Sequence, residues 1–303
     1  MEDWLQKIDL RDYRYALISF PEDRGVRTNN GRPGAADGPA AIRKALSSHV
    51  DFKKIQLVDL GDAPSTDSLL ERQKWLGSAV QSCFEANVFP IVLGGGHETA
   101  YGHYLGYTPS PRPSTSSGLP SPARGERDQG GLRVLNIDAH YDCRPLVDGE
   151  GHSGSPFRQM IEAGLPGESL TAFGIQRSCN SGPNVEFAIE KKVRTFFLEE
   201  IRREGIESSL EKVLEKSRGL LYVTIDLDGL APFEFPATSA AVKMKEGFSV
   251  KEMEEMIRLL ARHPALTSLD FCEYSPPFDS DGACAKMASK FLEQFLVQRH
   301  SRR

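Results

Sequence analysis

The segment "LNIDAHYD", residues 135–142, begins as an apolar strand and ends with Asp138, His140 and Asp142 on alternate residues. A strand points every second side chain to the same face. If the strand runs on through this segment, three potential metal ligands lie on one side of it. Unpaired charge in such a place would be expensive to bury. The segment therefore predicts a positive partner at the end of a buried strand, and it restricts the chain to folds whose strand ends meet at a polar centre.

The remaining sequence supplies the sheet. Strands are predicted at "RYALISF", "IQLVDLG", "VFPIVLGGG", "RVLNIDAH", "SLTAFGIQ", "VRTFFLE", "LLYVTIDLDG" and "LTSLDFCEYS". Several are nearly continuous apolar runs, as expected of a parallel sheet covered on both faces. Helical segments lie between them. "TDSLLERQKWLGSAVQSCFEAN" carries apolar residues at helical spacing, and "SVKEMEEMIRLLARHP" opens with Ser249 and Glu252 in capping-box spacing and stops before Pro264. This alternation predicts one α/β domain spanning residues 1–303, a length sufficient to bury a large core. One stretch breaks the pattern. "TPSPRPSTSSGLPSPARGERDQGG", residues 108–131, is dense in Pro, Ser, Gly and Arg and nearly empty of large apolar residues, so a disordered surface insertion is expected there.

Composition narrows the function classes. A formal net charge of −5 and a pI near 5.9 argue against a nucleic-acid partner. No run approaches the roughly eighteen apolar residues of a membrane span, and "MEDWLQKIDLRDYRYALISF" lacks the basic-then-apolar plan of a signal peptide. A cytoplasmic protein without a membrane partner is the expectation. The five cysteines include no CxxC pair and read as reduced thiols. Cys143 directly follows Asp142, so on a continuing strand it faces the other way; it reads as a buried structural thiol, not a nucleophile.

Further candidate ligands fall where strands end. "IVLGGGHE" reaches His97 after three glycines, which allow tight turning and close approach. "YVTIDLDG" gives Asp226 and Asp228, and "LDFCEYSPPFDSDG" gives Glu273 at the end of the last strand. Ligands of open parallel sheets collect at the carboxyl ends of the strands, which gathers His97, Asp138, His140, Asp142, Asp226 and Asp228 into one crevice. Four carboxylates and two imidazoles exceed a single zinc site. They suit a harder ion such as Mn²⁺, and with bridging carboxylates they suit two ions about 3.5–4 Å apart that activate water for hydrolysis. Any one of these aspartates alone is more often a strand-end turn residue, and a lone histidine more often a core residue. The D-x-H-x-D, D-x-D and GGGH words together outweigh those readings.

The stretches "GGGHE", "NIDAHYD", "TIDLDGLAP" and "EYSPPFDSDG" resemble the ureohydrolase superfamily, the arginase and agmatinase group, in an order that covers nearly the whole chain outside the insertion. The resemblance implies a three-layer α/β/α fold around a mostly parallel sheet of about eight strands, and two Mn²⁺ ions per chain. It implies that Asp138 and Asp226 bridge the ions, with His97 and Asp142 completing one site and His140 and Asp228 the other. "GVRTNNGRPGAADGPAAIRKAL", "GGGHETAYGHYLG", "DAHYDCRP", "SGSPFRQM" and "FGIQRS" are similar to the formimidoylglutamase branch. That branch implies hydrolysis of a small-molecule amidine, N-formimidoyl-L-glutamate, to L-glutamate and formamide by metal-bridged hydroxide. Homo-oligomers are expected by analogy alone.

The same resemblance assigns further roles. Glu273 would orient the cationic amidine and stabilise developing positive charge. Arg144 and Arg177 would meet the substrate carboxylates with their planar forks, with Arg32 in the N-terminal glycine-rich loop a weaker candidate. Ser153 takes the place of the histidine that arginases carry before glycine, and His152, one position earlier, reads as a solvated loop residue. His103 reads as structural, on a helix after the metal loop. The sequence departs from the family at Ala231, where an acidic residue usually precedes proline, and over "PATSAAVKMKEGFS", which replaces a proline-rich pocket loop. Two other functions stay open at this level. One is a different ureohydrolase, acting on agmatine, a guanidino acid or arginine and releasing urea. The other is a metal-binding relative without turnover that serves as a scaffold.

Overall fold

The computed structural model describes residues 8–108, 131–180, 182–215, 219–240 and 244–301. Apart from Thr108 and Gly131 at its ends, the expected insertion at 108–131 lies outside the described residues.

Eight parallel strands form one sheet: β1 (Tyr15–Phe20), β2 (Leu57–Asp62), β3 (Phe89–Gly94), β4 (Leu132–Ile137), β5 (Leu170–Ile175), β6 (Arg194–Phe197), β7 (Leu220–Asp226) and β8 (Leu266–Cys272). Their order across the sheet is β2-β1-β3-β8-β7-β4-β5-β6, and every ladder between named strands is parallel. Each predicted strand is present.

The pleat sorts the apolar runs onto two covered faces. Leu17, Leu135, Ile137, Val223, Ile225 and Phe271 pack on one side. The helices there span Gly38–Ser47, Leu198–Glu204, Ile206–Leu214, Val250–Ala261 and Ala283–His300. Alternate residues such as Ala16, Ile18, Val92, Val134 and Tyr222 face the other side. That side is covered by Leu69–Glu85, Thr99–Leu105, Pro156–Glu162 and Gly182–Glu190. The result is three layers, α/β/α. Burial on both faces is the reason these strands read as unbroken apolar runs and not as alternating ones.

Two helix starts are capped by serine, the second as the capping-box spacing predicts. The Ser68 side chain accepts from the Glu71 backbone at 3.3 Å. Ser249 and Glu252 form a reciprocal capping box, with Oγ accepting from the Glu252 backbone at 3.2 Å and Oε2 accepting from the Ser249 backbone at 2.6 Å.

For function, the decisive feature is the centre of the sheet. β3, β8, β7 and β4 are neighbours in that order. Their ladders bring Leu93 beside Phe271, Asp226 beside Cys272, and Ile137 beside Ile225. Four carboxyl ends therefore finish almost level, and the loops that leave them share one crevice.

Candidate metal centre

Each of the four strand ends delivers part of one cluster. β3 leads through Gly95 and Gly96 to His97, β4 leads into Asp138, His140 and Asp142, β7 ends on Asp226 with Asp228 in the following turn, and β8 is followed by Glu273. The geometry corrects the pleat argument. β4 stops at Ile137, so Asp138, His140 and Asp142 are not alternate residues of a continuing strand. They follow a bend, with Asp142 in the left-handed region at φ 44°. The Asp138 carboxylate accepts from the His140 backbone at 2.7 Å, and Asp226 accepts from the Asp228 backbone at 2.7 Å. These Asx turns, and not strand periodicity, fold each pair of ligands back on itself.

The glycines before His97 are required by crowding. A Cβ on Gly95 would lie 2.0 Å from the Glu22 carbonyl oxygen, and one on Gly96 would lie 2.1 Å from Glu98 Oε2. The close approach is to protein atoms. Gly95 and Gly96 donate to the carbonyls of Phe20 and Glu22 at 2.9 and 2.8 Å, which ties the β3 loop to the end of β1.

Two interlocking groups of candidate ligand atoms result. His97, Asp138, Asp142 and Asp226 form one, and Asp138, His140 and Asp228 form the other; within each group the atoms lie within 4.8 Å of one another. His97 Nδ1 is 2.9 Å from Asp142, 3.0 Å from Asp226 and 3.5 Å from Asp138. His140 Nδ1 is 3.2 Å from Asp228 and 3.4 Å from Asp138. Asp138 is the member common to both groups, whereas Asp226 belongs to the first alone.

The electrostatics call for a cation. Burial raises the Asp226 carboxyl well above its usual range, with the charges of Asp228 and Asp138 adding to the effect. Burial raises Asp228 as well. Burial pushes Asp138 the same way, but hydrogen bonds from His140 and His97 hold it below the usual carboxylate range. Burial alone would discharge His97 and His140, yet the surrounding aspartates carry both imidazoles well above their ordinary value. The ring protons thus stand where a divalent ion would neutralise the same carboxylates. Asp228 Oδ1 is buried without a hydrogen-bond partner among the described residues. A hard, carboxylate-rich donor set with an open acceptor fits Mn²⁺-like ions.

Glu273 sits against this cluster in a strained backbone. Its φ of 70° is unusual for a non-glycine residue. Its backbone donates to Gly95 at 2.7 Å, its carbonyl accepts from the Ser239 backbone at 3.0 Å, and its Oε1 accepts from the His97 backbone at 2.5 Å. Burial, with the charges of Glu98 and Asp228, raises its carboxyl well above the ordinary range.

The expected substrate contacts divide. Arg144 Nη1 donates to Asn29 Oδ1 at 2.9 Å, and Asn29 Nδ2 donates to Ser153 Oγ at 3.0 Å, so Arg144 and Ser153 are joined through a residue the sequence reading missed. Arg177 has other employment. It is exposed, lies 3.3 Å above the Phe197 ring, and pairs with Glu199 at 3.0 Å and Glu200 at 3.4 Å. It is not among the residues lining the cavity that Asp228 helps to form. Arg32 gains importance, because it lines a cavity of about 450 Å³ together with Asp228, Phe235, Thr238, Met244 and Phe278. Its guanidinium lies 3.9 Å over Phe278, and two of its nitrogens donate to the carbonyls of Thr238 and Ala240.

His152 and His103 are structural. His152 is buried and not solvated as expected, its Nε2 held by the Pro145 carbonyl at 2.9 Å and its Nδ1 accepting from the Gly154 backbone at 3.1 Å. His103 is buried against Asp270 at 2.7 Å. Cys143 is fully buried and burial drives its thiol upward, as suits an inert residue. Ala231, where the acidic residue is missing, is supported by backbone alone: its N–H donates to Phe248 and its carbonyl accepts from Glu234 and Phe235. Residues 241–243 of the altered loop lie outside the described ones. No helix among the described residues is long and apolar enough to cross a membrane.

A model of the arginase family matches residues 13–297. The chain is 33% identical over 295 residues to a formimidoylglutamase of Streptococcus pyogenes serotype M6, covering 94% of this chain and 84% of that one. It is 34% identical over 297 residues to a formimidoylglutamase of Salmonella newport, covering 95% and 84%. Among solved structures, Trypanosoma cruzi formiminoglutamase with Mn²⁺ superposes with a TM-score of 0.81 at 26% identity, covering 96% of this chain and 95% of that one.

Proposed function

The chain belongs to the arginase family, and on that premise we propose that it hydrolyses N-formimidoyl-L-glutamate to L-glutamate and formamide, a step of histidine degradation, with two Mn²⁺ ions. The observation that carries this reading is the pair of buried groups sharing Asp138. Formimidoylglutamase relatives at 33% and 34% identity point to the substrate. Solved Trypanosoma cruzi formiminoglutamase carries Mn²⁺, which supports the choice of metal.

His97, Asp138, Asp142 and Asp226 would hold one ion, and Asp138, His140 and Asp228 the other. An ion pair bound there supplies a strongly acidified water as nucleophile near neutral pH. The chain's own residues do the rest. Asp228 lines the cavity, so a substrate seated there would present its amidine carbon to the metal side. Glu273, whose carboxyl burial and the charges of Glu98 and Asp228 raise well above the ordinary range, would face the cationic amidine and orient that group. In the net reaction, the oxygen of water joins the amidine carbon, the C–N bond to the glutamate nitrogen breaks, and a proton of that water leaves on the nitrogen, giving formamide and the amine of glutamate. Arg32 receives a substrate carboxylate in the cavity, stacked on Phe278 and anchored by two carbonyls. Arg144, with Ser153 behind it through Asn29, flanks the loop after Asp142 and meets the other carboxylate.

The test is a product assay on the Mn²⁺-loaded protein with formimidoylglutamate, agmatine, arginine and 4-guanidinobutanoate side by side. Formamide and glutamate from the first substrate, with little urea from the others, is the expected result. Preferred release of urea would replace this reading with another ureohydrolase. No turnover of any of the four by a protein that retains two ions would favour the scaffold.

A further inference from the structure

We infer that Thr224 and Asp270 are a positioning pair that fixes which ring nitrogen His97 turns toward the ion cluster, an inference that rests on the metal reading above. Asp270 lies inside β8, fully buried. Its Oδ1 accepts from Thr224 Oγ1 at 2.5 Å, and its Oδ2 accepts from the Tyr222 hydroxyl at 2.5 Å and faces His103 Nδ1 at 2.7 Å. On the other side of Thr224, Oγ1 is 3.0 Å from His97 Nε2.

The direction of these bonds follows from counting protons. A threonine hydroxyl has one hydrogen and two lone pairs. Thr224 donates its hydrogen to the Asp270 carboxylate, so toward His97 the same oxygen can only accept. Nε2 must then carry a hydrogen. When an ion takes the other side of the ring, Nδ1 is the nitrogen with the free lone pair, and Nδ1 is the atom that lies 2.9–3.5 Å from Asp142, Asp226 and Asp138. The Phe157 ring, edge-on at 5.3 Å and 85°, blocks rotation of the imidazole. Backing of this kind commonly governs a ligand's tautomer and affinity. The second histidine is held differently. Among the described residues, His140 meets Asp138 and Asp228 through Nδ1, and its side chain is 12% exposed.

The experiment is a Mn²⁺ titration of the metal-free, full-length protein, with free Mn²⁺ followed by electron paramagnetic resonance and melting temperature measured in parallel. Wild type is expected to take up two ions. Thr224→Val, which keeps the shape and removes the hydroxyl, should weaken one of the two by about tenfold to a hundredfold and leave the other unchanged. Thr224→Ser should restore it. Tyr222→Phe removes a donor to the other Asp270 oxygen and should lower the melting temperature without touching Mn²⁺ uptake. If Thr224→Val does not fold, Thr224→Ala is read by the same criterion. Wild-type affinity at both sites in the variant that lacks the hydroxyl overturns the inference. So does a serine variant that fails to rescue, or a Tyr222→Phe defect equal to that of Thr224→Val. A wild-type protein that binds no Mn²⁺ overturns the metal reading itself, and this inference with it.

Discussion

The two halves of the cluster are built to different specifications. Around His97 everything is interior: the ring is fully buried, three aspartates face its Nδ1, and Thr224 and Asp270 stand behind it. Around His140 the protein opens. That side chain is 12% exposed, and Asp228 beside it both lines the cavity and keeps an oxygen without a partner among the described residues. A braced half resists rearrangement, while the half that lines the cavity can meet a substrate. The two halves are joined through Asp138.

The largest effect should come from breaking the joint. Asp138→Ala removes the only residue common to both groups among those described. Both ions should be lost, and activity should fall at least about a thousandfold, since several kcal/mol of electrostatic stabilisation disappear. Asp228→Ala should spare the inner half: metal analysis should find one ion per chain where wild type has two. Equal loss of both ions in the two variants would erase the distinction.

Glu273→Gln tests the wall of the cluster and not its ligands. Two ions should remain, while kcat drops about a hundredfold to a thousandfold, the scale of removing one preorganised electrostatic group. Unchanged kcat and KM would mean that Glu273 has been given the wrong role.

A gentler probe is pH. In the metal-free protein His97 and His140 hold their protons well above the ordinary histidine range, because aspartates surround them. An incoming ion must displace those protons. Lowering the pH therefore favours the protons and weakens Mn²⁺ binding, and raising it strengthens binding. Calorimetric titrations at several pH values between 6 and 8, in buffers of different ionisation enthalpy, should show proton release on uptake. A dissociation constant that does not vary with pH would contradict the arrangement.

The smallest contrasts concern the arginines. Arg32→Ala should raise KM for formimidoylglutamate about tenfold to a hundredfold, the range for a lost charge-assisted hydrogen bond. Arg177→Ala, which removes an exposed pairing with Glu199 and Glu200 and the stacking on Phe197, should leave KM within about twofold. The reverse ranking would restore the role that the sequence suggested for Arg177.

How legible all this was depends on where the information lies. The eight strands could be read because burial on both faces leaves long apolar runs, and the six candidate ligands because acidic residues and histidines at strand ends have few innocent explanations. The reason offered for their convergence was wrong, however. The pleat does not bring Asp138, His140 and Asp142 together; a bend after Ile137 does, with Asp142 in a left-handed conformation that no periodicity announces. Thr224 and Asp270 passed as ordinary strand residues. A carboxylate inside the buried run "LTSLDFC" was a signal, since such a group needs partners. Asn29 had no such signal: its link to Arg144 spans 115 residues and exists only in the folded chain. The pairing of Arg177 had no signal either, because its partners Glu199 and Glu200 lie in the helix after β6 and meet it only in the folded chain.

The most direct test is a crystal structure of the protein soaked in Mn²⁺, with anomalous difference maps collected at the manganese edge. Two peaks about 3.5–4 Å apart, with Asp138 reaching both, His97 Nδ1 on one and His140 Nδ1 on the other, is the result this account requires. A single peak, or two that share no carboxylate, would contradict it.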